Sequence, residues 1–311
     1  MNPGSSTGPE PKPNTLSRRF LRKFGEAIFL FFQKRIQRKS PQDAERAGER
    51  LAMFLYLVDK KHRKRTCANL RMAFPEWSED RISTTAKEVF RHFGGIAGDF
   101  FRGPSRTNEE VVANMEVEGF HHYREAEALG RGVLMVSGHF GNWERCAHWL
   151  VTQGIQLSVI TRETDDDGVQ RRLSEMREST GVKVLSRGDS ARETLVRLRQ
   201  KETIAILADQ NTEEAYGHFF GKPAGTVLGP AVLHKRTGAV LLPGFCVRLG
   251  YGKYRVFFRP PIDVDNSAQE PLQVMEEVNR VLESVVREYP EQWLWMHDRW
   301  KSARKRGLLD S

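Results

Sequence analysis

The 311-residue sequence is poor in cysteine: Cys67, Cys146 and Cys246 stand far apart and no CxxC occurs. That spacing excludes a disulfide framework and a cysteine-based zinc site, and it suits a reducing compartment. Long apolar runs are missing too. The longest, Leu51–Val58, has eight residues, against about 20 for a bilayer-spanning helix. The N-terminus has no apolar stretch followed by a small-residue cleavage site, so it does not read as a secretory signal. No GxGxxG or GxxxxGK[ST] is present and no GxSxG follows a strand pattern, the one match, at Gly4–Gly8, lying in the Pro/Gly/Ser-rich tail. The hydrolase nucleophile elbow is thus missing and the common nucleotide loops are disfavoured. Glu163, Asp165, Asp167 and Gly168 imitate the start of a calcium loop. Glu stands in the first ligand position and Ser174 in the twelfth, so no metal is expected.

Acid is scarce in three stretches. Leu16–Lys39 has eight Lys/Arg and one acid, Lys60–Arg71 six and none, and Arg299–Arg306 five and none. With 49 Lys/Arg against 40 Asp/Glu overall, the remainder of the chain is net acidic. Three basic runs around an apolar body suit an anionic partner such as a phospholipid surface. No recognition helix, zinc finger or aromatic ribonucleoprotein motif supports nucleic acid as that partner. Hydrophobic residues at 39%, together with 26 Gly, reach the globular share of roughly 45–50%, which excludes a largely disordered chain.

Three segments follow. Met1–Thr15, rich in Pro, Gly, Ser and Asn, is expected to be disordered. Leu16–Lys39 reads as an amphipathic helix lying in a membrane interface. Leu16, Phe20, Leu21, Phe24, Ala27, Ile28, Phe31 and Phe32 share one face, and basic residues oppose it. Residues 40–306 read as one domain. Helical periodicity fills Asp43–Val58, Arg63–Met72 and Ser78–Phe101, and a short strand or turn opens Val117–Leu129. From Gly132 onward, short apolar runs alternate with helices. The runs are Val133–Val136, Leu157–Ile160, Val182–Leu185, Ile204–Ala208, Val240–Val247 and Tyr254–Phe258. That alternation predicts an α/β fold with a mixed, largely parallel sheet covered by helices, and a helical N-terminal region.

Nine histidines and 40 acids in 311 residues give about 1.2 acids five after a His by chance, and two occur. Spacing alone therefore decides nothing. His122–Glu127 lies in a charged helical stretch and reads as surface. His139 instead ends a buried-strand pattern, Val133–Gly138, and precedes a helix that begins near Asn142. The C-terminal edge of a parallel strand is where α/β folds place chemistry. A histidine there can be a general base. Glu144 is expected to fold back and hold the imidazole. With no serine partner evident, the base would act on a substrate hydroxyl. A structural cap is the alternative for His139.

Gly138-His139-Phe140-Gly141-Asn142-Trp143-Glu144 resembles the signature of the bacterial lipid A late acyltransferases, lauroyl/myristoyl type, within the wider HX4(D/E) lysophospholipid acyltransferase group. The resemblance continues in order. It runs through Asn69–Glu76, Arg162, Arg187-Gly188, Asp209-Gln210, the segment from Phe219 through Thr226 to Ala231, and Glu291–Trp300. It implies a glycerolipid acyltransferase-like fold. The activity implied is O-acyl transfer from acyl carrier protein, or CoA, to a lipid A precursor or related anionic lipid at the cytoplasmic face of the inner membrane. The thioester is a co-substrate and no cofactor is needed. His139 and Glu144 would be catalytic, and Asn142, Arg162, Arg187, Gly188 and Asp209 would bind substrate. Arg162 and Arg187 are the phosphate candidates, since guanidinium suits bidentate contact. Phe219-Phe220 stand as acyl-chain contacts or core, and Trp293, Trp295 and Trp300 as interface residues or core. Family members often carry an N-terminal membrane span, where this chain has the amphipathic, basic Leu16–Lys39. An acceptor of another kind, such as a phosphatidylinositol mannoside, fits the same residues. The rival from another class is a non-catalytic lipid-binding protein.

Overall fold

The computed structural model describes residues 30–161, 167–186, 190–264 and 268–309. The expected tail at Met1–Thr15, most of Leu16–Lys39, and Arg162, Arg187 and Gly188 lie outside them. The described end of the N-terminal segment is helical over 30–37 (α1), with Phe31 and Phe32 exposed. Among the described residues no helix is long and apolar enough to cross a membrane.

Three helices make the N-terminal region: α2 (Pro41–Val58), α3 (Lys60–Ala73) and α4 (Glu79–Arg102). Their starts follow local chemistry. Ser40 Oγ accepts from Asp43 N–H, Asp59 Oδ1 from His62 N–H and Ser78 Oγ from Arg81 N–H. Each side-chain oxygen satisfies a backbone donor that the first helical turn leaves open. The cap at Asp59 starts α3 three residues before the expected Arg63. α2 lies against α4 with almost no side-chain layer between them. A Cβ on Gly48 would stand 2.0 Å from Gly94 O, and one on Gly98 2.2 Å from Ala44 O. Only glycine permits that approach.

The rest is a seven-stranded sheet in the order β1-β9-β8-β2-β5-β3-β4. Its strands are β1 (Met115–Glu118), β2 (Val133–Ser137), β3 (Leu157–Thr161), β4 (Lys183–Ser186), β5 (Thr203–Leu207), β8 (Val240–Gly250) and β9 (Lys253–Phe258). Only β8–β9, joined by a tight turn, pair antiparallel. The other neighbours are parallel, as the strand–helix alternation predicts. Connections pass through α6 (Phe120–Ala128), α7 (Trp143–Thr152), α8 (Asp167–Glu178), α9 (Ser190–Arg199) and α10 (Gly229–Thr237). α11 (Pro271–Glu288) packs against a two-stranded hairpin of β6 (Ala215–Phe219) and β7 (Lys222–Thr226). The mixed α/β class with a helical N-terminal region is therefore the observed one.

The hairpin escapes sequence reading for a physical reason. Its turn is Phe220-Gly221, both at positive φ (52° and 65°), where Asn-Gly or Asp-Gly would be the usual signal. Tertiary contacts hold Phe220 there. Its N–H donates to Glu283 Oε2 at 2.5 Å, its ring meets Phe74, Phe219 and Trp295, and Arg287 stacks above it. The three C-terminal tryptophans and Phe219 are fully buried in the same cluster. They are core, which decides between the two alternatives the sequence left for the tryptophans.

Candidate active site

β2 and β5 are adjacent and parallel, with Ser137 opposite Leu207. Two residues beyond each partner stand His139 and Asp209. The sheet register thus brings together groups 70 positions apart, at the C-terminal edge. Asp209 is buried and takes three donors. Its Oδ1 lies 2.8 Å from His139 Nδ1, and Oδ2 accepts the His139 backbone N–H at 2.7 Å and Trp293 Nε1–H at 2.9 Å. Burial alone would raise the Asp209 carboxyl. The imidazole beside it and these hydrogen bonds outweigh that and hold it down at about 2. An ionised carboxylate on Nδ1 requires a proton there, so the neutral ring presents a bare Nε2. That nitrogen belongs to a side chain 20% exposed, with Gln210 Nε2 3.4 Å away.

The loop carrying His139 is built tightly. Gly138 has Asp209 and Leu282 at 3.0 Å from where a Cβ would sit. Gly141 adopts φ 57°, and a Cβ there would fall 1.9 Å from Cys246 O. The C-terminal segment closes over this loop. Leu294 N–H donates to His139 O and Gly141 N–H to Gln292 O, at 3.1 and 2.8 Å. Nearby, His297 Nε2 accepts from Asn211 N–H at 2.9 Å. Burial lowers the His297 imidazole to about 4, so it stays neutral and free to accept that bond.

Glu144 stands elsewhere. Its carboxylate takes Arg177 at 2.6 and 3.0 Å and Trp143 Nε1–H at 3.1 Å. The expected Glu144–imidazole contact is therefore corrected: Asp209 occupies Nδ1, and Glu144, in the first turn of α7, turns to α8. The two sites touch through Trp143, whose ring packs edge-on to His139 at 5.2 Å. Asn142, expected to bind substrate, is buried as the α7 N-cap. Its Oδ1 accepts Arg145 N–H at 3.0 Å and its Nδ2 donates to Asp99 at 2.9 Å. Both polar atoms are thus taken up inside the protein, in a buried cluster where Asp99 also meets Arg106 and Arg145.

Beneath α7 lies a mostly apolar cavity of about 70 Å³. Met135, Cys146, Val159, Ala205 and Leu207 line it, and the Glu144–Arg177 pair sits in its wall. Ser137, two residues before His139, is also in that wall. The sequence pattern found His139 and the strand end at Asp209. It did not pair them, because strand order is invisible in a single chain read linearly.

Residues 12–302 match the family described as bacterial lipid A biosynthesis acyltransferase. The phosphatidylinositol mannoside acyltransferase of Mycobacterium tuberculosis (strain CDC 1551 / Oshkosh) is 29% identical over 168 residues, covering 51% of this chain and 53% of that protein. The chain thus spans about half the length of that relative. A lipid A biosynthesis acyltransferase of Haemophilus influenzae is 24% identical, covering 76% of this chain and 75% of that one. The lipid A biosynthesis lauroyltransferase of Escherichia coli K12 is 27% identical, covering 78% and 80%. With nearly its whole length matched, from before α1 to α12 (Lys301–Lys305), the chain belongs to the bacterial lipid A biosynthesis acyltransferase family.

Proposed function

We propose that the protein transfers a fatty acyl group from a thioester, on acyl carrier protein or CoA, to a hydroxyl of an anionic lipid. The observation that carries this is the His139–Asp209 pair, with the carboxylate fixed by two further N–H donors. His139 Nε2 removes the proton of the acceptor hydroxyl, and the oxygen attacks the thioester carbonyl. The tetrahedral adduct collapses, the C–S bond breaks, and the imidazolium returns its proton to the departing thiolate. Asp209 fixes the tautomer and stabilises the imidazolium. The apolar cavity beneath α7 is assigned to the start of the acyl chain. Glu144, held by Arg177, positions Trp143 beside His139 and shapes that cavity. Arg162 and Arg187, directly after β3 and β4 in sequence, are assigned to phosphate on the lipid or the donor. The acceptor follows the relatives: a lipid A precursor, or a glycolipid such as a phosphatidylinositol mannoside, met at the cytoplasmic face of the inner membrane.

The test is turnover. Purified protein with an acyl thioester and detergent-dispersed lipid is expected to release thiol and form acylated lipid, followed by mass spectrometry. A folded His139→Ala protein is expected to lose about 10²–10⁴-fold in rate. Wild-type rates in that variant would refute the mechanism. Lipid profiles of cells lacking the gene would name the acceptor.

A further inference from the structure

We propose that the corner between α2 and α3 is a docking surface for an anionic lipid bilayer. Leu51, Phe54, Leu55 and Val58 recur at the spacing of one helical stripe. They are 60%, 59%, 45% and 55% exposed, and neighbouring Leu57 is 64% exposed. The opposite face of α2, with Ala44, Glu45, Glu49 and Ala52, is the one buried against the body. Five large apolar side chains within eight residues thus stand in solvent, in the longest apolar run of the sequence. An exposed patch of that kind marks an interaction site.

The chemistry beside the stripe selects the occupant. α2 ends at Val58, Asp59 links the helices, and α3 begins with the basic run. Asp59 is spent locally, on His62 at 2.6 Å. Arg63 is turned back onto Tyr56, by a hydrogen bond to its carbonyl at 3.0 Å and by stacking over its ring. Arg65 reaches Asp298 at 3.8 Å. Lys60, Lys61 and Lys64 remain exposed and have no ion-pair partner among the described residues. An apolar stripe bordered by free lysines matches the acyl–headgroup boundary of a membrane, which takes both at one depth. A symmetric dimer through this face would set the three lysines near their own copies, and a nucleic acid would leave the apolar stripe in water.

The surface is also linked to the task, a point that rests on the acyltransferase reading. α3 runs from this corner to the active-site segment over about 21 Å. At its far end Asn69 Nδ2 donates to the carbonyls of Trp295 and His297 at 2.9 and 3.0 Å. His297 in turn holds the backbone of Asn211, next to Asp209-Gln210. One helix thus ties the docking corner to the wall of the site.

Co-sedimentation of the full chain with vesicles tests the proposal. Vesicles of phosphatidylcholine, with and without phosphatidylglycerol, are compared. The triple variant Lys60→Glu/Lys61→Glu/Lys64→Glu is expected to lose on the order of 100-fold in affinity for the anionic vesicles, about fivefold per lysine, and to lose their preference over neutral ones. Phe54→Glu/Leu57→Glu is expected to lose about tenfold or more on both kinds. If the glutamates disturb folding, Phe54→Ser/Leu57→Ser reads the same apolar contact. Unchanged vesicle binding in the folded variants overturns the proposal, and binding then resides in Leu16–Lys39 or elsewhere. A shift in oligomeric state with vesicle binding unchanged also overturns it and makes the stripe a contact between copies. Turnover on detergent-dispersed lipid separates the two readings. The docking variants are expected to keep it. His139→Ala is expected to lose it while binding vesicles normally.

Discussion

Two apolar runs of this chain meet opposite fates. Val133–Val136 is fully buried in β2, whereas Leu51–Val58, twice as long, leaves five of its eight residues in water. Hydrophobicity alone does not distinguish them. Partners on both sides do: β2 lies between β5 and β8 and is covered by helices on its faces. α2 has α4 on one side only, at glycine-to-glycine distance. The buried run leads to His139 and fixes it at the edge of the sheet. The exposed run ends at lysines, and its apolar side chains are free to meet something outside the molecule. The same contrast separates the two carboxylates near His139. Asp209 is wholly buried and collects donors from three groups, while Glu144, half-buried in the cavity wall, pairs with an arginine.

The sharpest way to break that second contrast is Asp209→Asn. Oδ2 receives two fixed N–H groups, so the amide oxygen is expected to take that place and the NH2 to face His139 Nδ1. A donor there forces the proton onto Nε2 and removes the base. The rate is expected to fall roughly 10²–10⁴-fold, the full contribution of base catalysis. Glu144→Gln leaves the ring tautomer alone. A smaller loss, with the pH profile keeping its shape, is expected there, because only Arg177 and Trp143 lose their partner. Equal losses with equally altered pH profiles would return the orienting role to Glu144.

Acid sharpens the comparison between inside and outside. Burial lowers His92 to about 3 and His148 and His297 to about 4, against an ordinary value of 6.5. Each is depressed on folding, so the unfolded chain binds more protons between 4 and 6.5. Stability is therefore whole above pH 6.5 and falls as pH drops through that window. The slope approaches about 1.4 kcal/mol per pH unit for each histidine. Three together approach about 4 kcal/mol per unit, a large share of the roughly 5–15 kcal/mol that holds a domain. Urea midpoints measured from pH 7.5 to 4.5 are expected to fall steeply below 6.5. A flat profile would mean that these rings are solvated.

The sheet was legible because its strands carry short Val/Ile/Leu runs between helices, and His139 because a strand pattern stops at Gly138. Asp209 was legible only as a strand end. Its pairing with His139 depends on β2 and β5 being neighbours, a fact held by the topology and by no local spacing. The Glu144 expectation failed because the fifth position after His139 lies in the first turn of α7, where it faces α8. Phe220 at positive φ hid the β6–β7 hairpin. The tryptophans near the C-terminus could serve core or interface, and only packing decides in favour of core.

The smallest effect separates the two apolar runs most directly. Leu134→Ala, in the middle of β2, removes a side chain with no exposure and leaves a space its neighbours cannot close. A loss of about 2–5 kcal/mol is expected. Phe54→Ser, on the outer face of α2, removes a larger side chain from water. It changes helix propensity little, since serine and phenylalanine rank close together. Stability in solution is therefore expected to move by no more than about 0.5 kcal/mol, in either direction. The same variant is expected to bind anionic vesicles more weakly. Denaturant melts of both variants, run without lipid, decide the matter. If Phe54→Ser costs as much as Leu134→Ala, the stripe is covered within the folded chain, and the run on α2 belongs to the core after all.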